Sequence, residues 1–313
     1  MCSSDLETKA SPAATVAGPG QGEVKGGQFS LEQAERIVNA KVAEKMAAIS
    51  AVRQQNIIKM EGLLQNPEYR KDPDRAPKVM HMLAENHWEE GLYQYLQARD
   101  QWDKAMAQVE AGTLTEAPPE PVEDYSKSLE YYREFLRMFP NYPRVDEVYY
   151  YLGKGAMKEG KAKQSRALQK EGADYLNRLV KDYPQSRFIA EAHLALAEYY
   201  FETNSMYFAK QNYETIIQKF PRTSMFNYAL YKLGWVHFNL LEFDQAIDTF
   251  HKVVSQVSKD SGTGVIEFTN QALNDLVVTY AEVDNGWQRA RDYFMKAMSE
   301  EEAYVKLRML GDL

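Results

Sequence analysis

Three aromatic-proline pairs, Phe139-Pro140, Tyr183-Pro184 and Phe220-Pro221, stand 44 and 37 residues apart. Thirteen residues after each proline comes a small residue, Gly153, Ala197 or Gly234, and each is preceded by a leucine, Leu152, Leu196 or Leu233. Sixteen residues beyond two of these small positions comes an aromatic, Tyr213 and Phe250, with an alanine four residues before it, Ala209 and Ala246. A period of this length means that one short unit is used repeatedly and that no unit buries its apolar face alone. The small residues let two helices approach, and the aromatic fills the wedge between them. A length of 313 residues would otherwise suggest two globular domains, but the repeat calls for a stack.

Leu-small on one helix, Ala and then an aromatic on the next, and proline at the close resemble the tetratricopeptide repeat. The unit Ala190 to Pro221 fits best, through Leu196, Ala197, Ala209, Tyr213 and Pro221. The next, from Asn227, carries Leu233, Gly234, Ala246 and Phe250, with Ser258 in place of the closing proline. A unit near Asp146 needs seven extra residues between its helices, around Lys161 to Lys170. A later unit near Gln271 puts Val278 at the small position, followed by Ala290 and Phe294. The earliest begins near Pro77 with Leu83 and Ala84, and its second helix, with Ser128, Tyr132 and Pro140, lies beyond a proline-rich insertion. The resemblance covers residues 77–313 and implies an all-α solenoid of about five helix-turn-helix repeats.

Outside the repeats the chain divides by composition. Residues 1–29 are rich in Ser, Ala, Pro and Gly and read as a disordered arm. Its first six residues, MCSSDL, resemble the translation of a sequencing-adapter remnant and are set aside, so Cys2 is not expected to report a compartment. Ser30 to Gln33 form a capping-box pattern, and apolar residues from Leu31 to Leu64 recur at helical spacing, so residues 30–110 should hold long helices that include the first degenerate repeat helix. Residues 111–122 form a Pro-rich loop, and 123–313 the repeat array. Leu310-Gly311 falls 17 residues after Phe294, where the next Leu-small pair is due, so the array is expected to be cut inside the next repeat, as in a fragment.

Little in the sequence nominates chemistry. Nothing approaches the run of apolar residues that spans a bilayer, so no transmembrane segment is expected. With 37 basic against 45 acidic residues and a net charge of −8, a nucleic-acid surface is not expected. No two of His81, His87, His193, His237 and His251 have the i, i+4 spacing of a helical metal pair, and they read as packed structural groups. No nucleophile elbow, phosphate loop or dinucleotide fingerprint is present, and Gly262 and Gly264 read as a flexible turn. We therefore expect no enzyme, no cofactor, no metal and no small-molecule substrate.

The resemblance implies a concave groove lined by the first helix of each repeat. Carried over residue by residue, its positions fall on Tyr228, Tyr231, Trp235 and Phe238, on Glu191, Leu194, Glu198, Phe201 and Glu202, and on Glu147, Tyr150, Lys154 and Met157. Such a stripe can take a peptide segment of another protein, the flanking glutamates favouring Lys or Arg; alternatively, neighbouring helices pack over the aromatics. The basic clamp by which some tetratricopeptide domains hold a chaperone's C-terminus is not evident, since Lys154 and Lys158 are surrounded by Glu and aromatics. The stretches KDYPQSRFIAEAHLALAEYY and QKFPRTSMFNYALYKLGWVHF look like units of bacterial cell-envelope proteins, among them outer-membrane barrel-assembly lipoproteins and periplasmic constriction coordinators. The expected function is a non-catalytic scaffold or adaptor of an envelope assembly, periplasmic or outer-membrane-associated. Two alternatives stand beside it: the docking or regulatory region of a longer enzyme, and an intracellular peptide-sensing regulator.

Overall fold

The computed structural model describes residues 31–256 and 263–313. The arm expected over 1–29 and the expectation for Ser258 lie outside the described residues. Residues 1–48 and 49–313 separate into two compact units. Of the first, the described part is the opening of helix α1 (Leu31–Leu64), where Val42 and Met46 are exposed. Within the second, Ile49 and Val52 on the same apolar stripe are also exposed, while Ile57, Met60 and Leu64 bury against Met80 and Leu83. The periodicity located the helix, and its last turns, within the second unit, pack into that core.

The second unit is a stack of antiparallel helix pairs. After the short α2 (Pro67–Lys71), capped by Asn66, come α3 (Ala76–Glu110) and α4 (Ser126–Met138). The pairs α5 (Val145–Ala162) with α6 (Arg166–Asp182), α7 (Ile189–Glu202) with α8 (Met206–Lys219), and α9 (Met225–Asn239) with α10 (Phe243–Gln256) follow. The last pair is α11 (Thr263–Ala281) with α12 (Gly286–Ala297), and α13 (Glu300–Gly311) opens under a capping box made by Ser299 and Glu302. Each helix packs on its pair mate, and each pair on the next, so the fold is a helical-repeat solenoid. Ser128 and Tyr132, Ala209 and Tyr213, Ala246 and Phe250, and Ala290 and Phe294 occupy equivalent places on the second helices and are fully enclosed. Leu196, Ala197, Leu233 and Gly234 are buried opposite them, and Pro221 lies exposed in the turn after α8.

The structure departs from the sequence expectations in three places. The seven extra residues of the unit near Asp146 do not form an insertion between helices: α5 and α6 have 18 and 17 residues where α7 and α8 have 14 each, and the turn between them keeps three residues. Lengthening both helices keeps every backbone group in the hydrogen-bonded ladder, which a long loop would not. It also brings the two backbones together, since a Cβ on Gly153 would lie 2.5 Å from Leu176 Cγ and one on Gly172 would lie 2.6 Å from the Gly153 carbonyl oxygen. Gly172 and Leu176 thereby take the places of Ala209 and Tyr213. Secondly, Val278 is 37% exposed and Val277, at 1%, takes the small position, because the turn into α12 has four residues instead of three. Thirdly, Gly264 belongs to the first turn of α11 and not to a loop.

Candidate protein-interaction groove

The first helices of three successive pairs, α5, α7 and α9, carry the residues assigned to the groove. On α9, Tyr228, Tyr231, Trp235 and Phe238 are half-buried, and each engages a neighbour. Tyr228 donates to Glu198 Oε1 on α7 at 2.7 Å. Trp235 Nε1 lies 3.0 Å from Asp275 Oδ2 on α11 and 3.1 Å from Tyr231 Oη, and the Tyr231 ring packs on Phe268 and Phe250. Phe238 meets Trp235 and Phe243 edge to face. Burial pushes the Tyr231 phenol up to about 12 and raises the Asp275 carboxyl, with hydrogen bonds from Tyr231 and Trp235 opposing the latter. Phe201 on α7 lies under the ammonium of Lys232, 3.7 Å from its ring centroid, and Glu191 is exposed at the start of the helix. Tyr150 on α5 is only 7% exposed, because Phe188 stacks over it at 4.3 Å.

The α9 aromatics therefore join three repeats while keeping part of their surface open. Asp275, Phe268 and Lys232 belong to this network and were not singled out from the sequence. The register of α11 was displaced by its longer turn, which hid Asp275 and Phe268. Lys232 adjoins Tyr231 in sequence, but its place over Phe201 is set by the packing of α9 on α7.

Between α5 and α7 the surface opens into a cavity of about 250 Å³. Its floor is Met157, Ala195 and Tyr199, and its charged rim is Lys154, Lys158, Lys161, Glu198 and Glu202. Lys158 pairs with Glu123 at the end of the Pro-rich segment, and Lys161 with Glu202 at 2.8 Å. That segment is held in place by Trp102 Nε1 donating to the Pro118 carbonyl at 3.0 Å and by Arg99 on Glu120 at 2.7 Å. The stacking of Tyr125 on Trp88, with centroids 3.9 Å apart, fixes its end. The loop predicted at 111–122 thus forms one wall beside the groove.

A second polar cluster lies deeper, where α3 meets α5. His81 is 1% exposed, with Nδ1 3.3 Å from Glu85 and Nε2 3.4 Å from Glu147. The three offer ligand atoms within 4.8 Å of one another, a spacing a metal ion could draw together. However, Arg144 reaches both carboxylates and Arg187 takes Glu147 at 3.1 Å, so two guanidiniums already supply the countercharge that a dication would bring. The arrangement fits an ion-pair lock between repeats better than a metal centre. Of the remaining histidines, three make cross-helix contacts, His193 with Asn212, His251 with Tyr280 and His87 with Glu61, and His237 meets Glu242 in the turn after α9.

Among the described residues no helix is long and apolar enough to cross a membrane. A family profile described as outer membrane lipoprotein matches residues 121–196, which run from the Pro-rich segment through α5 and α6 into α7 and include most of the cavity. A tetratricopeptide-repeat profile matches residues 228–259, the α9–α10 pair. No match is found among curated proteins. The chain is thus a helical-repeat solenoid that resembles the outer membrane lipoprotein family over residues 121–196 and the tetratricopeptide repeat over residues 228–259.

Proposed function

We propose that this protein is a non-catalytic scaffold of a bacterial envelope assembly and that it holds segments of partner proteins along the face formed by α5, α7 and α9. The observation that carries the reading is the coincidence of the lipoprotein-like stretch, residues 121–196, with the helix pair that opens into the cavity. Half-buried Tyr228, Tyr231, Trp235 and Phe238 next to that cavity supply aromatic surface of the kind that dominates protein-protein binding energy. The resemblance supports the cell envelope as the location and a non-catalytic role. The test is capture of envelope proteins from detergent-solubilised bacterial membranes on the immobilised full chain. Replacing Lys154 and Glu202 together by alanine should release the captured protein while the thermal transition stays in place. Undiminished capture by that variant would contradict the groove as the docking face.

A further inference from the structure

Among the described residues, no carboxylate pairs with Lys154 on the rim of the α5–α7 cavity. Of the charged residues lining it, Lys158 has Glu123, Lys161 has Glu202, and Glu198 accepts from Tyr228. Lys154 is half-buried, and its ammonium has only Tyr150, with the phenolic oxygen at 3.4 Å and the ring centroid at 5.6 Å; among the described residues no carboxylate lies within ion-pair distance. A partly desolvated ammonium on an aromatic ring favours an anion more than a fully hydrated one does.

The chain itself displays a fitting partner. Lys158 is one turn beyond Lys154 on the same face of α5. It receives Glu123 from a coil stretch that contains Pro118, Pro119 and Pro121, with Val122 lining the adjoining hollow. A carboxylate preceded by Pro121 and Val122 on a coil stretch is thus already docked on one of the two lysines. The cavity beside the other has the same make-up, a lysine above the apolar floor of Met157, Ala195 and Tyr199.

We propose that this cavity takes an aspartate or glutamate side chain from an extended segment of a partner protein, its carboxylate on Lys154 and its apolar neighbours on the floor. The inference rests on the groove reading above and names the chemistry of what the groove takes. The glutamates in the cavity rim are occupied within the chain, so an acidic segment answers the free charge there and a basic one does not.

Phage-displayed random peptides selected on the immobilised full chain test this. The enriched sequences should share Asp or Glu beside an apolar residue. Replacing that acid by Asn or Gln, or using Lys154→Met, should weaken binding by about tenfold, the usual scale for losing one charge-assisted hydrogen bond. Lys154→Arg should retain binding, which separates charge from folding, and Lys154→Glu should move selection toward Lys- or Arg-containing peptides. Enriched peptides with no acidic residue, or affinity indifferent to Lys154→Met, would overturn the proposal and leave the groove reading standing. Enrichment of no peptide at all would overturn both.

Discussion

Tyr228 on α9 donates its phenolic hydrogen bond to Glu198 on α7 at 2.7 Å, so a residue picked out as groove surface also ties one repeat to the one before it. Binding face and inter-repeat seam are here the same side chains. Substitutions at the aromatics will therefore disturb stability as well as binding, and the two effects have to be read apart.

Tyr228→Phe should cost about 1 kcal/mol, the usual net worth of one hydrogen bond, and urea denaturation would measure it. It should also change the alkaline behaviour. Burial, with Glu198 adding to it, raises the Tyr228 phenol above its ordinary value. Both folded and unfolded chains hold the proton below pH ~10, the ordinary tyrosine value, and above it the unfolded chain ionises first. The wild type should therefore lose stability as pH rises above that point, and Tyr228→Phe should lose less.

Two glycine-to-alanine changes should act in opposite directions. A Cβ on Gly234 would stand 2.5 Å from Phe250 Cε1 in a closed core, so Gly234→Ala should destabilise by about 1–3 kcal/mol. A Cβ on Gly62 in α1 would meet nothing within 4 Å, so Gly62→Ala should stabilise by about 0.5–1 kcal/mol through helix propensity alone. Thermal melts of the two variants check the contrast.

The joint between α1 and α3 depends on Glu90, which is 6% exposed and receives Ser50 and Gln54 at 2.9 Å and Arg53 at 3.1 Å. Burial raises its carboxyl, but donors from Gln54, Ser50, Arg53 and Gln94 outweigh that and hold it below the ordinary range. Its contribution is therefore present above pH ~4.3, the unfolded value, and drains as pH falls through the lower folded value. Glu90→Leu leaves Arg53 with Glu89 alone, at 3.9 Å, and should cost about 3 kcal/mol, with a flatter acid limb in stability against pH.

Leu241, in the turn between α9 and α10, has φ 61° and is 74% exposed. A leucine gains nothing there and carries the steric cost of left-handed backbone, whereas Asn204 and Asn285 suit the corresponding turns. Leu241→Gly should raise stability by about 0.5–1 kcal/mol, read from the midpoint of denaturation.

The repeat was legible in the sequence because packing at Ala197, Tyr213, Gly234 and Phe250 tolerates few residue types, and spacing alone exposes them. What stayed hidden depended on register. Helix lengthening in α5 and α6 keeps the pattern in space while breaking it in sequence, which concealed Gly172 and Leu176. One added turn residue before α12 shifted α11, and with it Asp275 and Phe268, out of their expected places. Charge pairing was hidden as well. That Glu198 and Glu202 are engaged while Lys154 is open depends on contacts between helices 30 or more residues apart, such as Tyr228 with Glu198, which no local pattern carries.

The most direct test of the central claim is site-specific photocrosslinking from the full chain in intact bacterial envelopes. A photoreactive residue is placed at Lys161 on the cavity rim, where the side chain is 72% exposed, and at Gln211 on a second helix as the comparison. The groove account predicts a discrete crosslinked envelope protein from Lys161 and none from Gln211. Equal crosslinking from both positions, or a product from Gln211 alone, would contradict it.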